Sequence, residues 1–295
     1  MSEQTQPEAS KSLTGILLLC VFVLLLSAVA SATGVFARGD GRTGAVTSVR
    51  GETYEMVTDG VYRYNAERLT AEGVGWDIVT LFIALPALLI TLPFLRQNSV
   101  RARLFAVGIV AYLFYQYLMY SVTWAFGPLF LLFVATYAAS LAAIAWLLST
   151  LSIRKLSDHF GTHFPYRGVG IFSIFVAVVL TAMWLGRIIP ALQGEIEGVL
   201  LGQTTLVVQA LDLGIIVPFA LFTGFMSLRH RPVSLVLAPV FVVKGAALAA
   251  AITAMLVSAW IAEGTLDIVP FLFFLALLLI SVWLGIRMYG PRSAA

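Results

Sequence analysis

The sequence predicts an all-α integral membrane protein, a bundle of eight transmembrane helices with a small extracytoplasmic β-hairpin loop. Three observations predict it. The 295 residues are 60% hydrophobic and only 11% charged, where a typical soluble domain carries about 25% charged residues. Eight apolar stretches each approach or exceed about 20 residues, the length that crosses a bilayer as a helix. The remaining charges collect in the short segments between those stretches. Such a chain has too little polar surface to cover itself in water. The bilayer therefore takes over as solvent, and residues 13–290 are expected to form one bundle between polar tails at 1–12 and 291–295.

In order, the spans read 13–36, 77–95, 103–124, 128–150, 169–190, 205–227, 233–260 and 268–289. Lys and Arg are retained on the cytoplasmic side, so they set the orientation. With the N-terminus inside, the inner segments carry Lys11, Arg96, Arg101, Arg103, Arg154, Lys155, Arg167, Arg229, Arg231, Arg287 and Arg292. The outer segments carry most of the acids, including Glu52, Glu55, Asp59, Glu195, Glu197, Glu263 and Asp267. A multi-pass protein of the plasma or inner membrane, with both termini cytoplasmic, is the expectation. The first span has an alternative. Lys11, the apolar core 16–26 and the small-residue run 27–32 also fit a cleavable signal peptide, whereas an apolar run continuing through Val35 and Phe36 favours a retained helix.

The outer segment 38–75 is the only sizeable piece outside the spans. Within it, Asp59-Gly60 separates two β-prone runs, which predicts a hairpin over 53–65 with Val57 opposite Tyr62 and Glu55 opposite Tyr64. A lone hairpin is marginal in water, so it is expected to lean on the bundle. No internal repeat is visible residue by residue, and the chain contains no GxGxxG, Walker loop or nucleophile elbow.

Composition also narrows the chemistry. The formal charge of +3 sits near helix ends and forms no nucleic-acid-binding face. Cys20 is the single cysteine, so no intrachain disulfide is possible. His159, His163 and His230 all fall in inner loops, which speaks against haem held between histidines in the membrane. Asp158, His159 and His163 are the one metal arrangement that the loops permit, but loop histidines beside basic residues are ordinarily just solvated. No metal or cofactor is expected.

Three ionisable residues lie inside the later spans: Arg187, Asp212 and Lys244. Each costs about 3 kcal/mol at a helix centre and needs a partner or a wet cavity. At the helical rise, Asp212 lies roughly 10–12 Å, and Lys244 about 12 Å, below the outer face. This common level predicts an Asp212–Lys244 ion pair. Gln209 shares a helix face with Asp212 and Thr205, while Tyr112, Gln116 and Tyr120 form a stripe on the third span. Thr181, Trp184 and Arg187 rise along the fifth, and Tyr137 and Ser140 sit at similar depth on the fourth. Pro218 and Pro239 fall on the two charged helices, and interrupted helices near the midplane often line transporter sites. A polar funnel opening outward is expected, with Asp212, Lys244, Arg187, Gln209, Gln116, Tyr112, Tyr137, Thr181 and Trp184 as its candidate ligand-binding residues.

Structural alternatives stand beside these. The ion pair could serve only helix register, Tyr117 and Tyr120 could be interfacial anchors, and Arg187 could snorkel to headgroups. The leading function is binding or transport of a small polar or anionic solute. One alternative is a membrane-embedded enzyme using the Lys/Asp pair, with Lys244 as base or Schiff-base nucleophile. Another is a structural or accessory subunit that docks a protein partner through loop 38–75 or loop 151–168, where Phe160, Phe164 and Tyr166 stand among basic residues. The lipid bilayer is the one partner that the composition demands.

Overall fold

The computed structural model describes residues 6–153, 156, 159–160 and 164–290, with side chains from Leu13 onward. The tail residues 1–5 and 291–295, together with Arg154, Lys155, Asp158 and His163, lie outside the described residues. Among the described residues, eight helices are long and apolar enough to cross a membrane: α1 (Gln6–Phe36), α2 (Glu67–Arg96), α3 (Val100–Thr123), α4 (Phe130–Ser149), α5 (Tyr166–Leu192), α6 (Val207–Leu228), α7 (Ser234–Glu263) and α8 (Ile268–Tyr289). The chain is a multi-pass membrane protein.

The largest departure from the sequence reading is the start of α2. Hydropathy places it at residue 77 because Arg68, Glu72 and Asp77 dilute the apolar signal. In the fold each of those charges has a partner. Arg68 donates to Glu72 at 3.2 Å, Glu263 at 3.1 Å and Asp267 at 2.9 Å, and Asp77 is fully buried among hydroxyl and amide donors. With its charges satisfied, the segment continues as helix.

The bundle is centred on α3 and α7, which pack against each other. α2 lies along α7, α4 along α3, and α1 against α2 and α4. α5 and α6 pack chiefly on each other, and α8 packs on α7. Glycine permits the closest approaches. A Cβ on Gly75 of α2 would lie 2.5 Å from the Ala254 carbonyl of α7. In a membrane this kind of backbone proximity, rather than a hydrophobic force, holds helices together.

The structure reveals a repeat that the sequence conceals. α2 and α6 each contain one π-helical turn, Thr80–Ala84 and Asp212–Ile216. Each turn leads into an X-Pro step, at Pro86 and Pro218, and proline has no N–H to continue the ladder. Each helix is followed by a residue at positive φ, Asn98 (61°) and His230 (50°), and then by one of the two central helices. The same spacing separates Thr80 from Asp212, Pro86 from Pro218, Thr91 from Thr223 and Asn98 from His230. Because each half has four spans, α1–α4 and α5–α8 run in the same orientation. The halves are not packed alike. α2 runs along α7, whereas its counterpart α6 meets α3 only near its first turn. α1 packs on α4, whereas α5 and α8 barely touch.

The hairpin is real but forms elsewhere. β1 (Thr43–Thr47) pairs antiparallel with β2 (Thr53–Val57), Thr43 opposite Val57 and Thr47 opposite Thr53. The expected hairpin over 53–65 survives only as a short return, with Val57 donating to the Asn65 carbonyl at 2.9 Å and Tyr64 to that of Val57 at 2.7 Å; no two-residue type I′ turn closes it, because that turn needs positive φ at both positions and only Gly60 (φ 73°) has it. The Asp59 carboxylate is taken by the Asp40 amide at 2.9 Å and by Arg42 at 3.3 Å. Residues 61–64 make a turn instead, and Tyr62 is buried rather than facing Val57. The hairpin does lean on the bundle. Glu52 accepts the amides of Leu201 at 3.0 Å and Gly202 at 3.2 Å. At the opposite end, Phe160 and Phe164 are buried against each other, with ring centroids 5.1 Å apart, and are not offered to a partner as expected. Tyr117 and Tyr120 are fully buried too, and do not serve as interfacial anchors.

Two predictions follow from this packing. Gly75→Leu should cost about 1–3 kcal/mol by forcing α2 from α7, whereas Gly186→Ala, with open space around it, should be near neutral; thermal unfolding of the purified protein reads both. The second concerns Asp59, whose carboxyl is held below its ordinary 3.8 chiefly by the Asp40 amide, with Arg42 assisting. A depressed folded-state pKa means that this tie is intact above pH ~4 and is lost as pH falls through the lower folded value. Amide exchange at Asp40 should therefore quicken, relative to its neighbours, only in that acidic range.

Candidate functional site

The site is built around Asp212, at the point where α6 changes from α to π geometry. The carboxylate is 7% exposed and faces α3 and α5. Tyr115 of α3 donates its hydroxyl to one carboxylate oxygen, and Trp184 of α5 donates its indole N–H to the other at 2.8 Å. Lys244 of α7 is equally buried, but it does not form the expected ion pair. No Asp212 oxygen lies within 4.0 Å of its ammonium. The Nζ rests instead on the face of the Tyr115 ring, 4.5 Å from the centroid. The two charges do reach a common neighbourhood, as depth predicts, but the phenol of Tyr115 contacts both. Tyr115 lies outside the expected polar stripe, which took Tyr112, Gln116 and Tyr120 from the same helix.

Above Asp212 is a cavity of about 730 Å³ that opens toward the face carrying the hairpin. Trp76, Tyr115, Trp124, Trp184, Met183 and Phe274 supply most of its wall, and Gln209 and Asp212 lie at depth. Arg68, Glu72, Arg187 and Asp267 lie at its rim, and Leu200, Leu201 and Gln203 reach over it. Glu52 of the hairpin fastens this loop through the amides of Leu201 and Gly202. Arg187 is no free cation, because it donates to the carbonyls of Gly198 and Val199 at 3.0 Å each. Those bonds hold the loop and replace the expected headgroup contact.

Of the nine candidate residues, the structure brings Asp212, Gln209, Trp184 and Arg187 to this cavity. Lys244 lies behind Asp212, on a separate groove. Thr181 returns its hydroxyl to the Ala177 carbonyl at 2.7 Å, and Tyr137 packs edge-on against Phe114. Neither lines the cavity.

Tyr112 and Gln116 belong to a different cluster, centred on Asp77. There Gln116 Nε2 donates to Asp77 at 3.2 Å, the hydroxyl of Tyr62 reaches down from the loop to the other oxygen, and Tyr120 shares its one hydroxyl proton between the Gly73 carbonyl at 3.0 Å and Asp77 at 3.4 Å. Thr80 bridges Tyr112 at 2.8 Å and Gln116 at 2.6 Å. Gly34 of α1 leaves the room, since a Cβ there would lie 2.0 Å from the carboxylate. Asp77 was missed because hydropathy put it at a span boundary. The repeat would have found it, for Asp77 and Thr80 stand where Gln209 and Asp212 stand in the second half. Likewise Tyr112 stands where Lys244 stands. One half thus closes its site with a Thr80–Tyr112 hydrogen bond, and the other separates an acid from a base.

No family model matches this chain, and no curated protein or solved structure matches it either. The site must be judged on its own chemistry.

Removing Asp77 should be costly. Asp77→Ala strands the Tyr62 and Gln116 donors, each worth about 1–3 kcal/mol when buried without an acceptor, whereas Tyr120 keeps the Gly73 carbonyl at 3.0 Å; a marked drop in melting temperature is expected. Glu52→Ala should leave the bundle's melting nearly unchanged. It should, however, speed limited proteolysis within residues 196–204, whose amides it releases.

Proposed function

We propose that the cavity above Asp212 binds a small amphipathic solute and that the protein carries this solute across the membrane. The observation that carries this reading is a deep, aromatic-walled cavity, about 730 Å³, ending on a buried carboxylate beside a helix interruption. Cavities of that size hold drug-sized organic molecules. The distribution of Lys and Arg favours placing the hairpin face outside a cell membrane and both termini in the cytoplasm. Entry is then from outside.

Charge supports a basic or neutral solute over an anionic one. Arg187 is engaged by two carbonyls, Lys244 is off the cavity wall, and Arg68 at the rim is surrounded by Glu72, Glu263 and Asp267. Indole and phenol faces attract cations, and Asp212 is the charge that waits at depth.

The helix interruption supplies the moving part. π-turns and X-Pro steps weaken the helical ladder locally, and here they follow directly on the binding carboxylate. α5 and α6 pack chiefly on each other, so they form a natural body to rock against α3 and α7. A solute bridging Asp212 on α6 to Trp76 on α2 would draw that body inward. No observation favours the enzyme reading, because Lys244 and Asp212 are not in contact.

A panel of organic cations, neutral solutes and anions, screened by thermal shift on purified protein, tests this. A stabilising cation or neutral amphiphile is expected, with affinity at least tenfold weaker in Asp212→Asn and in Trp184→Phe. Stabilisation confined to anions, or a stabiliser indifferent to both changes, would remove the cavity as the site.

A further inference from the structure

Behind Asp212, on the side away from the cavity, a second space runs between α5 and α8. It is narrow, about 80 Å³, and its wall is apolar and aromatic, with Phe172, Phe219, Phe241, Phe273 and Leu277 prominent. Because α8 packs on α7 and barely touches α5, the groove lies open along the gap between two membrane-spanning helices. Lys244 lines it. The Lys244 side chain belongs to a residue only 8% exposed, and its ammonium has neither a hydrogen-bond acceptor nor a contact ion pair among the described residues; it rests on the Tyr115 ring, with Asp212 near enough to attract it but not in contact.

The first half of the repeat shows what such a place looks like when it needs nothing more. There α1 packs on α4, closing the corresponding gap, and Tyr112, in the position of Lys244, is hydrogen-bonded to Thr80. The second half departs from this on two independent counts. Its outer helices are parted, and a neutral, satisfied hydroxyl is replaced by a buried cation without an acceptor. A buried cation so placed is costly unless an anion joins it. The Asp212 carboxylate does not join it, being held by Tyr115 and Trp184.

We infer that the groove between α5 and α8 binds the hydrocarbon chain of a single-tailed amphiphile, whose compact anionic head, a carboxylate, pairs with Lys244. The groove has room for only the carbons next to the head; the rest of the chain lies in the bilayer, which the groove meets through the gap between α5 and α8. The carboxylate supplies the missing acceptor. This site is separate from the solute cavity. The two share a wall that includes Leu180, Asp212, Leu248 and Phe274, but Lys244 and Gly245 line only the groove.

Equilibrium binding of labelled oleate and oleyl alcohol to the full chain in fatty-acid-free lipid nanodiscs tests the inference. Oleate should bind saturably and at least tenfold more tightly than the alcohol. Lys244→Met should reduce oleate to the level of the alcohol, and Lys244→Arg should retain the preference. Gly245→Ile, at a position with no neighbour nearer than 3.7 Å to its added Cβ, should fill the groove and weaken both. Equal binding of acid and alcohol, or oleate binding that survives Lys244→Met, would overturn the inference. Should Lys244→Met fail to fold, the acid-to-alcohol ratio in the parent and the Gly245→Ile result decide alone. Solute stabilisation measured in Gly245→Ile separates the two sites. It should persist there, and its absence from every variant and the parent alike would fail the cavity without touching the groove.

Discussion

Two carboxylates buried in an apolar bundle have to be satisfied by donors from neighbouring side chains, and much of the arrangement depends on how that is done. Neither Asp77 nor Asp212 touches a cation. Asp77 is held by Tyr62, Gln116 and Tyr120, and Asp212 by Tyr115 and Trp184. Three of these five donors, Tyr115, Gln116 and Tyr120, sit on the central helix α3, while Trp184 comes from α5 and Tyr62 from the outer loop. A buried acceptor left unmade is more expensive than the bond itself is favourable. The two acids therefore dictate which faces of α2 and α6 turn toward α3, and the aromatic character of the neighbouring walls follows from the donors they require.

The repeat explains why one half is closed and the other holds space. In the first half the polar side chains around Asp77 have partners within reach. Asp77, Thr80, Tyr112 and Gln116 form one connected network, and α2 lies along α7 with glycine contact at Gly75. In the second half the acid has moved to the position of Thr80, a lysine occupies the position of Tyr112, and α6 leaves α3 after its first turn. Space on both sides of Asp212 is the result. The proposed solute cavity and the proposed amphiphile groove are two consequences of the same departure from symmetry.

The extramembrane segment is part of this arrangement rather than an appendage to it. Tyr62 stacks on Trp124 at 4.5 Å while its hydroxyl reaches Asp77, and Asn65 accepts the Ala125 amide at 2.8 Å. Glu52 at the hairpin holds the loop that roofs the cavity. The loop thus closes one half through Tyr62 and trims the mouth of the other through Glu52. A proposed rocking of α5 and α6 would have to carry that roof with it.

Span number, the multi-pass membrane character and the approximate depth of Asp212 and Lys244 are legible in the sequence, because each rests on run length and helical rise. Those quantities are local. The likeness of α2 to α6 is easily passed over, since the side chains they share are mostly apolar ones common to any span, such as Leu81 with Leu213 and Ile83 with Ile215, and it is the π-turn, the proline step and the positive φ that single it out. The extent of α2 was hidden because hydropathy counts Arg68, Glu72 and Asp77 as cost, while the fold supplies their partners from α3, α7 and the loops. The ion pair was inferred from depth, yet depth leaves rotation about the helix axis undetermined, and it is rotation that put Tyr115 against both charges. The hairpin misplacement has the same origin: Asp59-Gly60 has turn chemistry, but Asp59 was claimed by Asp40 and Arg42, contacts made only when 37–66 folds on itself. Run length and hydropathy, both local, dictate which segments belong in the membrane. Which polar groups meet is set by the packed bundle alone, because that depends on helix rotation and on partners distant in the chain.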